Sequence, residues 1–279
     1  MGNIFSPRKG LGTLDFKNSI AVVTGAGSGI GRATALRLAG NGVTVVAVDL
    51  NQDSAAKTAH DVNGVSYVVD TSDAKQMETL ANKVESEVGP VTILVNNAGV
   101  GMTGRFLDVS LDDWLWIQNI NLNGVLNGCR AFGPYMVKRK VGHVVNMSSG
   151  LGYFPRATES SYCTTKAGVL MFSQCLRADW FKENVGVSAI CPGVINTNII
   201  NATKFLGERN NERELTATKK LFAKGHSPEV VAKAVINSIR YNRAVVPAGV
   251  EASIGWVLKG MLPMVVQDLA TRSKFMGGV

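Results

Sequence analysis

The chain has 279 residues, of which 46% are hydrophobic and 18% charged, so it can bury a sizeable core and is not expected to be disordered. Its net charge is +8, but the 29 basic residues are scattered rather than clustered, which argues against nucleic acid as a partner. Four cysteines without a CxxC pair and three histidines at unrelated spacings predict free thiols in a reducing, cytoplasmic environment and no metal site.

Apolar runs and helical patterns alternate along most of the chain. Runs rich in Val and Ile that end at glycine predict buried strands, and apolar residues three or four apart predict helices. In chain order the predicted elements are strand SIAVVTG, helix IGRATALRLAGNG, strand TVVAVDL, helix DSAAKTAHDV, strand VSYVVDTS, helix DAKQMETLANKVESEVG, strand VTILVNNAG, a long helix near residues 111–140, strand GHVVNMSS, a helix that contains Tyr162 and Lys166, and strands VGVSAICPG and RAVVPA. This alternation predicts an α/β fold, a doubly wound parallel sheet with helices on both faces, in one domain over residues 1–279.

Two segments depart from the alternation. Residues 194–226 combine polar turns with a charged helical pattern, which predicts a substrate lid or a disordered loop. The tail near residues 252–279 is apolar and helix-like, so it can cover a pocket, form a subunit contact or lie on a membrane surface. No stretch reaches the length of apolar chain that a membrane-spanning helix needs.

A glycine-rich turn, VVTGAGSGIG, joins the first strand to the first helix. Gly25, Gly29 and Gly31 allow the backbone to turn tightly and approach a ligand, and a helix N-terminus presents unpaired N–H groups to an anion. A strict GxGxxG is absent, because Ile30 stands where its third glycine would fall. The turn therefore indicates a phosphate site, with a tight turn that binds no ligand as the alternative.

Asp49 ends the second strand, twenty residues after Gly29. A carboxylate at this place can accept hydrogen bonds from both ribose hydroxyls of an adenosine, and it would repel a 2′-phosphate. No arginine follows within a few residues, and Ser28 in the turn is not basic. The sequence therefore predicts NAD(H) rather than NADP(H), with a helix-capping role for Asp49 as the alternative.

Tyr162 and Lys166 lie four residues apart, on one face of a predicted helix. With the charge of an oxidised nicotinamide ring, the ammonium is expected to lower the phenol pKa from about 10 toward neutrality. Ser149 follows a strand at the sheet edge where ligands bind, although paired serines also cap turns. Asn121 lies in mid-helix and, alone, is best interpreted as an exposed polar residue.

Together these motifs resemble the short-chain dehydrogenase/reductase family, over about residues 15–250. The residues that match in order and spacing are Thr24-Gly25-x-x-x-Gly29-x-Gly31, Asn96-Asn97-Ala98-Gly99, Asn121, Ser149, Tyr162-x-x-x-Lys166 and Pro192-Gly193. The resemblance implies a Rossmann-like sheet of about seven strands. It also implies hydride transfer between NAD and an alcohol or carbonyl carbon, in a homodimer or homotetramer.

The resemblance further implies roles for single residues. Tyr162 would be the catalytic acid/base, Ser149 would position the substrate oxygen, and Lys166 would lower the tyrosine pKa and bind ribose. Asn121 would hold a water that links Lys166 to solvent, and Asp70 would lie near the adenine. The implied cofactor-binding residues are Thr24, Gly25, Ser28, Gly29, Ile30, Gly31, Asp49, Leu50, Asp70, Thr71, Asn97, Ala98, Gly99, Tyr162, Lys166, Pro192, Gly193, Ile195 and Thr197, of which Thr197 would contact the nicotinamide amide.

Apolar side chains near the predicted site favour a hydrophobic substrate, such as a steroid, a terpenoid alcohol or a lipid-derived hydroxy compound. These residues are Gly150, Leu151, Tyr153, Phe154, Ile195, Ile199, Ile200, Phe205, Leu206, Trp256, Leu258, Met261 and Leu262. The same side chains can instead form core or a dimer contact. Two other functions stay open, an NADP-linked carbonyl or 3-oxoacyl reductase and a non-catalytic dinucleotide-binding redox sensor.

Overall fold

The structure is a computed structural model that describes residues 14–263 and 265–267. A short 3-10 turn (Phe16–Asn18) precedes the first strand. The strands and α-helices are β1 (Ile20–Thr24), α1 (Gly29–Ala39), β2 (Thr44–Asp49), α2 (Gln52–Asp61), β3 (Val65–Val68), α3 (Ala74–Glu87), β4 (Val91–Asn96), β5 (Gly101–Thr103), α4 (Leu111–Gln118), α5 (Gly124–Arg139), β6 (Gly142–Met147), α6 (Ser160–Asp179), β7 (Val185–Pro192), β8 (Thr203–Phe205), α7 (Glu212–Ala223), α8 (Pro228–Arg240), β9 (Val245–Ala248) and α9 (Val250–Met261).

In the described part of the chain, seven parallel strands form the main sheet, in the order β3-β2-β1-β4-β6-β7-β9. Side chains alternate between its two faces, so in β1 Val23 joins the cluster with α1 and α8, and Val22 joins the cluster with α3, α5 and α6. Both faces are covered by helices, which explains the nearly continuous Val and Ile runs. The Rossmann-like, doubly wound fold is confirmed, and its strand order reverses between β1 and β4, where such sheets bind ligands.

The long helix expected near residues 111–140 is interrupted by a π-helical turn at Asn119–Asn123, between α4 and α5. A π turn inside a helix is rare and occurs mostly at functional sites. Here it carries Asn121 inward, where that side chain is fully buried. The interpretation of Asn121 as an exposed polar residue is therefore wrong.

Segment 194–226 has regular structure, so the alternative of a disordered loop is wrong. Its strand β8 pairs in parallel with β5, and its helix α7 follows. Lys204 in β8 lies 2.7 Å from the Asp113 carboxylate and 4.2 Å from the centre of the Trp116 ring, both on α4. Backbone pairing and this ion pair fasten the segment to the body of the domain.

The predicted tail begins as helix α9, two residues earlier than expected. Tyr153 donates a hydrogen bond from Oη to the Ala252 carbonyl at 2.5 Å, and its ring meets Trp256 edge-on at 5.1 Å. These contacts attach α9 to the turn after β6. Residues 264 and 268–279 of the predicted tail lie outside the described residues, and no helix in the described part of the chain could cross a membrane.

Candidate active site

One cavity of about 830 Å³ lies at the carboxyl ends of the central strands, a volume within the range of small-molecule sites. It extends from the glycine turn to α9, and all but three of the predicted site residues line it. Those that do are Gly25, Ser28, Gly29, Ile30, Asp49, Leu50, Asp70, Thr71, Asn97, Ala98, Gly99, Ser149, Tyr162, Lys166, Pro192, Gly193, Ile195 and Thr197.

The other three predicted residues, Thr24, Gly31 and Asn121, support the cavity wall from behind. Thr24 Oγ1 accepts hydrogen bonds from the backbone N–H groups of Asn97 and Ala98, at 2.9 and 3.0 Å. A Cβ at Gly31 would lie 2.0 Å from the Gly25 carbonyl oxygen, so only glycine permits this close approach. These residues therefore hold the wall in place without facing the cavity.

Asn121 binds the backbone of the segment between β4 and β5, beside Lys166. Its Oδ1 accepts from the Val100 N–H at 2.8 Å, and its Nδ2 donates to the Val100 carbonyl at 2.9 Å. A Cβ on Gly99 would lie 3.1 Å from Asn121 Oδ1 and 3.4 Å from Lys166 Nζ, which shows how closely the two side chains approach this wall. The contacts in the structure make Asn121 a fastening for residues 99–100.

The N-terminus of α1 opens into the cavity. Gly29 has φ +51°, a conformation that favours glycine, and the turn it makes directs the first residues of α1 toward the cavity. A Cβ at Gly29 would lie 3.2 Å from the Thr197 side chain, which brings the opposite wall close to the helix terminus. This backbone cradle is suited to an anion, because a helix N-terminus presents unpaired N–H groups and a positive dipole end.

Asp49 lies at the same end of the cavity. Its Oδ2 accepts from the Gly27 N–H at 2.8 Å, and its Oδ1 accepts from the Asn51 N–H at 3.0 Å. Helix α2 is capped by Asn51, whose side chain accepts from the Ser54 N–H at 2.9 Å, so the capping role considered for Asp49 is wrong. Among the described residues that line this end with Asp49, none is basic.

Ser149, Tyr162 and Lys166 meet at the other end, where β6 ends and α6 begins. Lys166 Nζ lies 5.8 Å from the centre of the Tyr162 ring and donates a hydrogen bond to the Met147 carbonyl at 3.0 Å. Ser149 Oγ accepts from the Leu151 N–H at 3.1 Å and lies near enough to the Tyr162 phenol to influence its pKa. Ser149 and Tyr162 can therefore act on one oxygen atom placed between them, with the Lys166 ammonium beside the tyrosine ring.

In the protein by itself, burial shifts the pKa values of both Tyr162 and Lys166. Burial raises the pKa of Tyr162, the nearby Ser149 hydroxyl opposes the rise, and Glu159 and Cys163 add to it. Burial also lowers the pKa of Lys166 to about 8. In the protein by itself burial is the largest effect on the phenol, so the expected lowering of its pKa by Lys166 together with an oxidised nicotinamide ring stays a prediction.

The cavity beyond Tyr162 is mainly apolar but contains charged pairs that the sequence did not indicate. Its apolar lining includes Met102, Leu151, Phe154, Ile199, Ile200, Phe205, Leu221, Phe222, Ile254 and Leu258. Arg156 pairs with Glu159 at 2.9 Å, and Arg209 pairs with Glu214. The spacing of Arg156 and Glu159 is ordinary for a surface pair, so only the fold shows that they line a cavity.

Comparisons with known proteins agree with this geometry. The family model described as short chain dehydrogenase matches residues 19–205. The "Probable oxidoreductase EphD" of Mycobacterium tuberculosis is 40% identical over 266 residues, covering 91% of this chain and 45% of that protein. The chain therefore spans about half the length of the EphD relatives it matches.

Other relatives are matched over most of their length. The 3-oxoacyl-[acyl-carrier-protein] reductase FabG of Thermotoga maritima is 33% identical over 79% of this chain and 89% of its own. The meso-2,3-butanediol dehydrogenase of Serratia marcescens is 31% identical over 71% and 80%. Among solved structures, a short chain dehydrogenase/reductase from Burkholderia phymatum in complex with NAD superposes with a TM-score of 0.81 at 28% identity, covering 89% of this chain and 95% of that one.

Proposed function

Because the chain belongs to the short-chain dehydrogenase/reductase family of oxidoreductases, which bind a nicotinamide dinucleotide, we propose that it is an NAD-dependent enzyme that interconverts a secondary alcohol and a ketone on a hydrophobic substrate. The observation that carries the proposal is the meeting of Ser149, Tyr162 and Lys166 in the same cavity as Asp49 and the α1 N-terminus. A dinucleotide-binding sensor would not need those three side chains together, which disfavours that alternative.

The residues present fit NAD along the length of the cavity. In the proposed arrangement Asp49 accepts from the adenosine ribose, the α1 N-terminus holds the pyrophosphate, and residues 192–197 contact the nicotinamide. Lys166 binds the second ribose. When bound, NAD supplies the acceptor or donor of the hydride.

In the oxidation direction Tyr162 takes the hydroxyl proton of the alcohol while the carbinol hydrogen leaves as hydride. Ser149 donates to the substrate oxygen and holds it beside the phenol. Since burial raises the pKa of Tyr162, the phenolate needs more positive charge nearby than Lys166 provides. An oxidised nicotinamide ring bound against residues 192–197 would supply that charge. In the reduction direction the same phenol returns its proton.

The apolar lining supports a hydrophobic substrate. The arginines in this part of the cavity are each paired with a glutamate, so the region has little net charge to select an ionic substrate. Segment 194–226 contributes Ile199, Ile200 and Phe205 to the lining, which supports its role as a substrate lid. The role of Asn121 in holding a water beside Lys166 stays a prediction.

The proposed oligomer, a homodimer or homotetramer, is supported by apolar side chains on the surface. Leu107 is 92% exposed and Leu111, at the start of α4, is 72% exposed. Val257 and Met261 on α9 are also exposed, so contact of this helix with a subunit or a membrane surface stays a prediction.

Turnover of a panel of secondary alcohols with NAD tests the proposal. We expect large apolar alcohols to give kcat/KM values about tenfold or more above those of small polyols, because the lining adds apolar contact. The FabG relative makes a 3-oxoacyl thioester with NADPH the second arm of the panel. Activity confined to sugars or polyols would refute the hydrophobic substrate, and a tenfold preference for NADPH would refute the cofactor assignment.

A further inference from the structure

The two ends of segment 194–226 lie side by side, in a junction of residues 194–196 with His226 that we call the neck. Ile195 and His226 pair there as a parallel bridge. The His226 N–H donates to the Val194 carbonyl at 2.9 Å, and the Asn196 N–H donates to the His226 carbonyl at 2.8 Å. The two ends of the proposed lid are therefore fixed to each other immediately beside the residues proposed to contact the nicotinamide.

Glu251, in the first turn of α9, binds both ends of the segment at this neck with one carboxylate. Its Oε1 accepts from the Val194 N–H at 2.7 Å, and its Oε2 lies 2.8 Å from His226 Nε2. A Cβ at Gly193 would lie 2.1 Å from Glu251 Oε1, so the backbone and the carboxylate are in close contact. Glu251 also lines the cavity.

The contacts of the Glu251 carboxylate stabilise its charged form. Burial opposes ionisation of Glu251, but hydrogen bonds from its own N–H, from His226 and from the Val194 N–H outweigh it and lower its pKa. The backbone on either side is anchored separately. The Gly193 N–H donates to the Ala248 carbonyl at 2.9 Å, and Thr197 packs close to Gly29.

We propose that Glu251 is a positioning residue that fixes the backbone of residues 192–197 against the cofactor and joins that segment to the neck of the lid. The inference rests on the proposed function, since it assigns these residues to the nicotinamide. Glu251 acts through Val194 and His226 rather than on the reacting atoms. It belongs to none of the sequence motifs, and its bond to Val194 spans 57 residues of chain.

Two variants separate the hydrogen bonds of the side chain from its charge. Glu251→Ala removes both bonds, whereas Glu251→Gln keeps an oxygen for the Val194 N–H and offers an N–H to the imidazole. We expect Glu251→Ala to raise the Kd for NADH about tenfold and lower kcat, since bonds to charged groups contribute at this level. Glu251→Gln should stay within about threefold of the wild type, and the KM for the alcohol should change less than the Kd for NADH.

Glu229→Ala is the matched control, because Glu229 also lies in the first turn of a helix and is paired with Arg37 at 3.0 Å, outside the large cavity. It should leave NADH binding unchanged. If Glu251→Ala does not fold, His226→Ala, which removes one of the two side-chain bonds, should raise the Kd by an intermediate factor.

Wild-type affinity for NADH in Glu251→Ala, or in His226→Ala where that variant replaces it, would overturn the positioning role. A loss in Glu251→Gln as large as in Glu251→Ala would also overturn it, because the glutamine keeps both bonds. A wild-type chain that binds no NADH would instead refute the proposed function, so the two failures are distinguishable.

Discussion

Replacing Asp49 by asparagine tests the choice between NAD and NADP. The Asp49 carboxylate is held by the N–H groups of Gly27 and Asn51, and it faces the cavity with acceptor capacity to spare. Asparagine has nearly the same shape and can keep one of these bonds through its amide oxygen. The substitution therefore removes the charge with little change of packing.

The expected size of the effect follows from the charges. Two unit charges 4 Å apart repel by about 4 kcal/mol at an effective dielectric constant of about 20. Since Asp49 is partly exposed, we discount this repulsion of a 2′-phosphate to about 2 kcal/mol. Loss of a ribose hydrogen bond costs NAD about 1 kcal/mol more. The ratio of kcat/KM for NAD to that for NADP should therefore fall about a hundredfold.

The assay compares initial rates with NAD and NADP at fixed ionic strength, since the repulsion is screened by salt. Asp53→Asn is the control, because Asp53 is an exposed carboxylate in the first turn of α2 and does not line the cavity. A ratio that changes by less than about threefold in Asp49→Asn would refute the electrostatic argument for NAD.

Two further predictions concern the group around Tyr162. Burial lowers the pKa of Lys166 from 10.5 to about 8, so between these pH values the unfolded chain binds more protons than the folded chain. The contribution of Lys166 to the free energy of unfolding should therefore increase by about 3 kcal/mol as pH rises through this window. Because buried tyrosine and cysteine side chains with raised pKa values titrate in the same window, the measured quantity is the difference in the free energy of unfolding between the wild type and Lys166→Met, from urea unfolding at several pH values. This difference should grow by that amount in favour of the wild type as pH rises, and equal pH dependence in the two would contradict the prediction. Ser149→Ala should lower kcat about a hundredfold while the Kd for NADH stays constant, since it removes a donor to the substrate oxygen; equal losses of kcat and NADH affinity would show that Ser149 shapes the cofactor site instead.

The sheet and the glycine turn could be predicted from the sequence because their signals are local. Strands buried on both faces need continuous apolar runs, Gly29 has a positive φ that other residues resist, and Gly31 leaves no room for a Cβ. Strands β5 and β8 were missed because three residues carry too little periodicity, and their pairing joins positions about a hundred residues apart.

Other features depend on contacts that no local pattern reveals. The spacing of Tyr162 and Lys166 predicts that they are neighbours, but the direction of the phenol pKa is set by burial among residues from several elements. Asn121 is buried because a π turn redirects it, and Glu251 is placed by the packing of α9 beside the end of β7. Each of these depends on the tertiary fold rather than on the spacing of residues in the chain.

The acid/base role of Tyr162 is the central claim, and it is tested most directly by hydride transfer in Tyr162→Phe, measured in a single turnover beside NADH binding. Phenylalanine keeps the ring next to Lys166 and removes only the hydroxyl that exchanges the proton. We expect the rate to fall about a thousandfold or more, with the Kd for NADH within about twofold of the wild type. Hydride transfer at a tenth of the wild-type rate or faster would contradict the account.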